Sequence, residues 1–458
     1  MTDLAAARLV EHASQTSFDH LSGAAKQALK TFILDSLGVT VAGRNAEWTK
    51  EVLSTAQDWG AGKDALVLGQ GLRLAAPAAA FVNAYQAHSQ EYDCVHEGAV
   101  VHPMATAHSA ALAVAERRGG VTGQEFMTAV ALGVDVSTTI GMAATSGLKF
   151  FRPAVAGVFG ATVAAARIEG LSASQMHDAL GLAFTQCGGT MQAHREGKPT
   201  LALNVAFAAR AAVQAVDLAK RGFPGPADFL TGSFGYFNMM EDSFEIGPAF
   251  DELGSVWRIT EVSHKPFSAG RATHVGIDVV LRLRQKLGFT ADQIDKITLL
   301  APPLICLLVG RPTSADMTAN YARLCFQFAG ALAAVKGDIP LDGYQPDNIA
   351  DPELQALARK IEVVQDDNPD PNALNPQTVI LSLKDGRREE MVVADTFGAP
   401  NNPLTATENI TKFEKCCSFG AAPIAPAQQA EVVKMVDDLE NIADISAITA
   451  CLSGGGVA

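Results

Sequence analysis

A short stretch of the chain, residues 85–117, concentrates side chains that could transfer protons. It holds four histidines together with Glu91 and Asp93, and its second half is an alanine-rich segment. These polar residues are His88, Glu91, Asp93, His96, His102 and His108. Histidine titrates near neutral pH, and a carboxylate can orient an imidazole or act as a base itself. The stretch therefore predicts a site of acid–base chemistry.

His102 directly precedes Pro103 at the start of the alanine-rich segment. Proline is favoured at the first position of a helix, so the pair predicts a helix of about four turns with His102 as its N-cap. Histidine is unusual there, because N-caps are normally Ser, Thr, Asp or Asn and the helix dipole disfavours a cation. The dipole would favour a neutral imidazole that can give or take a proton. The alternative is a histidine that merely satisfies a loop carbonyl.

Two more basic residues stand directly before a proline, Arg152 and Lys265. Arg152 precedes another small-residue helix, where a bound carboxylate would offset its charge; pairing with an acidic side chain is the alternative. Lys265 shares its segment with Arg271 and could be an anion clamp or, if desolvated, a base; a solvated linker lysine is the alternative. Asp93 is predicted to end a helix shortly before His102 and to orient its imidazole or act as a base.

Residues 192–199, QAHREGKP, contain His194 and Lys198. They are interpreted either as a substrate loop or as a plain polar connection. The chain has no GxSxG, no GxxxxGK[ST] and no HExxH sequence, and no strand precedes a GxGxxG pattern. We therefore predict an enzyme for a small carboxylate that uses neither a metal nor a cofactor.

Composition excludes several classes of protein. The chain has 458 residues, is 48% hydrophobic and 18% charged, and carries a net charge of −14. This length predicts about two or three domains, and the acidic balance argues against nucleic acid or an anionic membrane as a partner. The seven cysteines form no CxxC pair, which favours a reducing compartment without zinc or iron–sulfur centres. We expect a cytoplasmic protein, since neither a membrane span nor a signal peptide is predicted.

The apolar pattern is helical to about residue 258 and mixed afterwards. Strands are predicted near residues 296–308 and 360–364, and a hairpin joins residues 379–383 to 390–394 across Asp385-Gly386. Capping boxes predict three helix starts, at Thr122/Glu125, Ser172/Gln175 and Thr405/Glu408. The predicted fold is mainly α: a large all-α helical domain (residues 1–262 and 400–458) with an inserted smaller α+β lid domain (residues 263–399).

Five segments occur in an order and spacing that resemble one known family. They are LDSLGVTVAG, EYDCVH followed by VHP, FRPAVAGVFGATVAAARIEGLS, LAKRGFPGP and HKPFSAGRATHVGID. Over nearly its whole length the chain resembles the MmgE/PrpD family, which includes 2-methylcitrate dehydratase, cis-aconitate decarboxylase and iminodisuccinate epimerase. The resemblance implies a homodimer with a metal-free site in the crevice between the two domains. It also implies catalytic roles for Asp93, His102 and Lys265.

Three positions depart from the pattern of the family's dehydratases and decarboxylases. Arg152 stands in place of a histidine, Leu201 in place of a lysine and Phe328 in place of a tyrosine. All reactions of the family make or quench a carbanion next to a carboxylate. Epimerisation makes the smallest demand on the residues that remain, because it needs only removal and return of one proton beside positive charge.

The predicted function is therefore a cofactor-independent epimerase of a small di- or tricarboxylate. Lys265 and His102 would transfer protons, and Asp93 would orient His102 or a water. The predicted substrate-binding residues are Arg152, Arg271, His96, His194 and Lys198. A dehydratase or decarboxylase is the alternative, and a non-catalytic homologue that binds an organic acid is the alternative of another class.

Overall fold

The computed structural model describes residues 4–454 of the chain. The first part is built almost entirely of helices. They are α1 (Leu4–Gln15), α2 (Gly23–Gly43), α3 (Thr49–Asp58), α4 (Ala76–His88), α5 (Pro103–Arg118), α6 (Gly123–Ala143), α7 (Arg152–Val155), α8 (Gly157–Glu169), α9 (Ala173–Phe184), α10 (Gln192–Glu196), α11 (Thr200–Lys220), α12 (Tyr236–Met240) and α13 (Ile246–Asp251). One short antiparallel hairpin, β1 (Ala65–Val67) with β2 (Leu72–Leu74), lies between α3 and α4. The sequence predicted no strand here, because three residues are too few for alternation to show.

The second part mixes helices with a four-stranded sheet. Its strands are β3 (Ile294–Ala301), β4 (Ile361–Gln365), β5 (Gln377–Leu383) and β6 (Arg388–Val393). Its helices, followed by those of the C-terminal segment, are α14 (His274–Leu287), α15 (Pro303–Val309), α16 (Ala319–Arg323), α17 (Phe326–Lys336), α18 (Pro346–Ile349), α19 (Pro352–Ala358), α20 (Ala406–Ser418), α21 (Pro426–Asp437) and α22 (Ser446–Cys451). The protein is therefore mainly α, as predicted.

The sheet has the strand order β4-β3-β5-β6. β3 and β4 are parallel, and helices α15–α19 connect them, whereas β5 pairs antiparallel with both β3 and β6. The predicted hairpin is confirmed: β5 and β6 flank the turn at Asp385-Gly386, where Gly386 has a φ of +93°. Glycine suits this position because it adopts positive φ without steric cost.

Apolar side chains form two main cores. The larger one draws on the helices between Ala5 and Val262 and on the C-terminal helices from Phe413 to Leu452. The smaller one lies between Phe267 and Val393, where the sheet packs against its helices. The predicted domain limits, residues 1–262 with 400–458 and residues 263–399, stay a prediction.

Side-chain caps start several helices where the sequence placed them. The boxes at Thr122, Ser172 and Thr405 are all present, and each hydroxyl accepts a hydrogen bond from the backbone three residues later. The end of α4 was predicted wrongly. That helix stops at His88, and Glu91 then takes a φ of +49°, so Asp93 lies in a loop rather than in the last turn of a helix.

Two helices, α6 and α11, are long and apolar enough to span a membrane by length and composition alone. Most of each apolar segment is buried inside the protein, 94% for α6 and 61% for α11. This burial is typical of core helices in a water-soluble protein. Small residues allow the close packing: a Cβ on Gly160 of α8 would lie 2.2 Å from the backbone oxygen of Gly133 in α6.

Candidate active site

His102 is the N-cap of α5, as predicted, and its side chain caps no backbone N–H. Its Nδ1 instead lies 3.0 Å from the Oδ2 of Asp93. A carboxylate can only accept, so Nδ1 carries the proton and donates it. No hydrogen-bond partner for Nε2 occurs among residues 4–454, and the side chain lines a cavity. Nε2 is therefore the ring nitrogen that is left free for proton transfer.

Asp93 also accepts a hydrogen bond from the last residue of α4. The Nδ1 of His88 lies 3.0 Å and 3.2 Å from the two carboxylate oxygens. The two imidazoles pack edge to face, with ring centroids 4.7 Å apart. All three side chains are largely buried, so Asp93 fixes the orientation of His102 while a second imidazole offsets its charge.

Lys265 lies beside the carboxylates of Glu91 and Asp93 and is fully buried. Its Nζ donates to Glu91 Oε2 at 2.8 Å and lies 3.7 Å from Asp93 Oδ1. The Nε2 of His88 is 3.6 Å from the other oxygen of Glu91. We name His88, Glu91, Asp93, His102 and Lys265 the charge cluster.

Opposite charges dominate the titration of the charge cluster. Burial raises the pKa of Glu91, but Lys265, His88 and His102 lower it by more, to about 2. Burial likewise raises the pKa of Asp93, which His102, His88 and Lys265 hold well below its ordinary value. Both carboxylates are therefore ionised.

The two imidazoles of the charge cluster differ in the direction of their pKa shifts. Burial lowers the pKa of His88, but Asp93 and Glu91 raise it by more, so the net shift is upward. For His102 burial dominates, and its pKa is lowered despite Asp93. These surroundings therefore favour the protonated form of His88 and the neutral form of His102, whose Nε2 can accept a proton.

The cavity beside His102 lies between the two cores. Its empty volume is about 640 Å³, a figure that includes space open to solvent. The polar groups on its wall come from Glu91, His102, His194 and Arg271, and the remaining wall is mostly hydrocarbon, with Val95, Val100, Leu148, Phe151, Pro153, Met191, Leu201, Leu308, Val309, Leu324 and Leu374. Glu91 and Val100 both have positive φ, +49° and +52°. Backbone strain at two wall residues is typical of a functional site.

Two predicted binding residues do not reach this wall. Arg152 is buried and pairs with Glu241 at 3.1 Å, and its Nη2 also donates to the Ser146 carbonyl at 2.6 Å. The alternative of an arginine paired with an acidic side chain is thus the one the structure shows. His96 bonds Glu261 through Nε2 at 3.0 Å and accepts the backbone N–H of Ala99. The predicted role of either residue in substrate binding is not supported by its position.

Two other predicted residues do reach the wall. His194 is buried there, and burial with Arg311 nearby lowers its pKa to about 4. Arg271 also lines it, but its guanidinium donates to Glu97 at 2.8 Å and to the Phe397 carbonyl at 2.6 Å, so much of its donor capacity is used. Lys198 is exposed and does not line the cavity.

The sequence analysis assigned no catalytic or binding role to three residues of the site, although it named two of them in the histidine-rich stretch. His88 and Glu91 lie in the histidine-rich stretch, and their nearness to Asp93 was the available signal. No pattern in the sequence pointed to Arg311. This residue is buried, its guanidinium donates to the His194 ring at 3.1 Å, and its Nη1 has no partner. Phe328, by contrast, packs in the smaller core, while Leu201 lines the cavity.

Three residues of the charge cluster could together approach a metal ion. Ligand atoms of His88, Asp93 and His102 lie within 4.8 Å of one another. Both imidazoles, however, direct the protonated Nδ1 at Asp93, and the Lys265 ammonium lies beside the same carboxylate. The donor set suits a proton network better than a metal centre.

Comparison with known proteins adds an independent line of evidence about the family of the chain. The model of the MmgE/PrpD N-terminal domain matches residues 7–249, and the model of the C-terminal domain matches residues 267–440. These two matches cover most of the chain and include every residue of the charge cluster except Lys265, which lies between them.

Relatives are similar over different shares of the chain. A cis-aconitate decarboxylase-like protein of Aspergillus oryzae is 27% identical over 93% of this chain and 93% of its own length. The cis-aconitate decarboxylase of Mus musculus is 26% identical over 96% of this chain and 91% of its own length. The mitochondrial 2-methylcitrate dehydratase of Yarrowia lipolytica is 26% identical over 47% of this chain and 44% of its own length. The names of these relatives are those of decarboxylases and of a dehydratase.

Proposed function

The chain belongs to the MmgE/PrpD family, and from this premise we propose that it is a lyase for a small di- or tricarboxylate. The observation that carries the proposal is His102, whose Nδ1 is held by Asp93 while Nε2 is free beside an apolar cavity. An imidazole fixed at one nitrogen by a carboxylate is a typical general acid–base group. It would transfer a proton at the carbon next to the substrate carboxylate.

Decarboxylation is the reaction that we propose first. The bond between the carbon skeleton and a carboxylate breaks, carbon dioxide leaves, and the electron pair stays on the carbon. A substrate anion beside His102 favours its imidazolium form, which then gives its Nε2 proton to that carbon. The hydrocarbon wall supports this choice, since loss of a localised carboxylate charge is favoured where water is excluded.

The epimerase predicted from the sequence becomes the second candidate, because the relatives are decarboxylases and a dehydratase. One observation favours it: His102 and His194 both line the cavity and come from different segments. A neutral His102 could remove the proton next to a carboxylate, and His194 could return one from another side. Lys265, fully buried against Glu91, would then act through its charge rather than as the base.

The cavity wall also limits the substrate. Leu201 lies where the resemblance expects a lysine, and Arg152 is held elsewhere by Glu241. Positive charge on the wall is therefore left mainly to Arg271, beside the basic residues of the charge cluster. A family member with a lysine at position 201 would have more positive charge on its cavity wall. We propose that the substrate of this protein has fewer negative charges facing the wall, or a larger hydrocarbon part, than the substrate of such a relative.

Proton NMR in D2O with a panel of di- and tricarboxylates tests the proposal. We expect a product that has lost one carboxylate and carries one deuterium at the carbon from which it departed. Deuterium exchange without net conversion would favour the epimerase, and an olefin formed with loss of water would favour a dehydratase. Thermal stabilisation by a panel member with neither exchange nor conversion would identify a binding protein and overturn the proposal.

We also propose that the chain forms a homodimer, as the resemblance implies. Three aromatic side chains, those of Trp48, Trp59 and Phe207, line a surface groove and remain 41–50% exposed. Exposed apolar groups that cluster are common at protein contacts. Light scattering should give twice the chain mass, and Phe207→Glu should lower it. A wild-type monomer would remove this part of the proposal.

A further inference from the structure

A second cavity, separate from the one beside His102, lies where the loops after α2 and α4 meet the helices α16 and α18. Its empty volume is about 640 Å³. Unlike the first cavity it is mainly polar, and the side chains that matter to its chemistry are Asn45, Glu47, Gln90, Arg323, Tyr344 and Gln345. None of these residues takes part in the proposed reaction.

Arg323 supplies positive charge to this second cavity. It is buried, with 6% of its surface exposed, yet it forms no ion pair with a carboxylate within residues 4–454. Its Nε donates to Ser268 Oγ at 3.3 Å and its Nη2 to the Leu341 carbonyl at 3.3 Å, while Nη1 has no hydrogen bond within the described chain. A buried guanidinium without a counterion is costly unless an anion joins it.

Two other residues that line this cavity each carry a buried polar atom without a partner. Tyr344 is 1% exposed, and its hydroxyl has no hydrogen-bond partner; its ring lies 4.6 Å from the Arg323 guanidinium. Gln90 is 3% exposed, and its Oε1 likewise has none, because its Nε2 is directed at the Ala42 carbonyl. Buried polar groups are normally hydrogen-bonded, so unpartnered ones that line one cavity indicate a ligand.

We propose that this second cavity binds a small oxyanion that also carries a hydroxyl group, such as a 2-hydroxycarboxylate or hydrogen phosphate. The guanidinium of Arg323 and the hydroxyl of Tyr344 donate to the anionic oxygens. Gln90 Oε1 can only accept, so it requires a donor on the ligand, which the hydroxyl provides. Glu47 is exposed and also lines the cavity, so it disfavours ligands of higher negative charge.

The second cavity is connected to the charge cluster through a chain of hydrogen bonds. Ser268 accepts from Arg323 and donates to the Gln90 carbonyl at 2.8 Å, and Gln90 directly precedes Glu91. The backbone N–H of Gly270, a residue of the first cavity's wall, donates to the Arg323 carbonyl at 2.9 Å. Binding of a ligand in the second cavity would therefore affect the position of the loop that holds Glu91.

Isothermal titration calorimetry of the full chain with inorganic phosphate, malate and succinate tests the proposal. We expect phosphate and malate to bind, and malate to bind more tightly than succinate, which lacks the hydroxyl. Tyr344→Phe should weaken both affinities by about tenfold or more, since it removes one hydrogen bond to a charged ligand. The same variant should not lower the thermal stability of the free protein, because the deleted hydroxyl has no partner.

Three further variants assign the binding to one cavity. His102→Gln alters the first cavity and should leave phosphate affinity unchanged, and Tyr236→Phe, which removes a tyrosine hydroxyl elsewhere, should do the same. Arg323→Lys should weaken binding, and if that protein does not fold, Tyr344→Phe decides alone. Absence of phosphate and malate binding would overturn the proposal. So would affinities that Tyr344→Phe leaves unchanged or that His102→Gln abolishes.

Discussion

Lys265 donates to Glu91 at 2.8 Å although 174 residues separate them in the chain. Both side chains are almost completely removed from water, and Glu91 adopts a backbone with positive φ to make the contact. A buried charge of this kind is tolerated only while its partner remains. The pair therefore fixes the loop after α4 and, through it, Asp93 and His102.

Glu91→Gln should destabilise the protein by about 3–5 kcal/mol, because Lys265 would stay buried with its direct partner removed. Urea unfolding followed by circular dichroism measures the change. The double variant Glu91→Gln/Lys265→Met should recover much of the loss, since neither charge is then buried. A single variant as stable as the wild type would show that the pair does not form.

Arg152→Gln should destabilise the protein by a similar amount, about 3–5 kcal/mol, because the side chain of Glu241 is only 3% exposed and would lose its cation. The KM of the enzyme should stay unchanged, since Arg152 lies outside the cavity wall. Steady-state kinetics at a temperature well below unfolding separates the two effects. A large rise in KM without loss of stability would restore Arg152 as a substrate clamp.

Buried histidines should make the protein less stable in mild acid. Burial lowers the pKa of His108 to about 4, whereas the unfolded chain takes up the proton near pH 6.5. The contribution of His108 is thus fully present above pH 6.5 and falls as the pH drops toward 4, by up to about 3 kcal/mol. The free energy of unfolding, measured with urea, should change less between pH 7.5 and pH 5 for His108→Leu than for the wild type. A change in stability between the two pH values that is as large for His108→Leu as for the wild type would refute the assignment.

Glycines at the crossing of α6 and α8 should tolerate no side chain. Gly160→Ala places a Cβ 2.2 Å from the backbone oxygen of Gly133, so we expect a loss of about 1–3 kcal/mol from forced separation of the helices. Gly23→Ala is the control, because nothing lies within 4 Å of its Cβ and alanine favours a helix. Thermal unfolding should move in opposite directions for the two variants. Equal effects would mean that the crossing is looser than described.

Local patterns in the sequence predicted several elements, although residues 303–308, which were predicted as part of a strand, belong to helix α15. Thr122, Ser172 and Thr405 cap the helices that they were expected to cap, and Asp385-Gly386 turns the hairpin, because these signals depend on neighbouring residues alone. The end of α4 was missed because Glu91 takes positive φ for a contact with Lys265, which no local pattern encodes.

The site was only partly predictable. His102 stood out because a histidine before proline violates the usual N-cap preference. Charge partners could not be assigned from the sequence, because Glu241 and Glu97 reach Arg152 and Arg271 only through the tertiary fold. Arg311 and the apolar wall are likewise products of packing between distant segments.

The central claim is that the Nε2 of His102 transfers the proton. Product formed in D2O by the wild type should carry one deuterium at the reacting carbon. His102→Gln should slow its formation by about 10²–10⁴-fold with KM little changed, while His177→Gln should react at the wild-type rate. Deuterated product formed by His102→Gln at the wild-type rate would contradict the account.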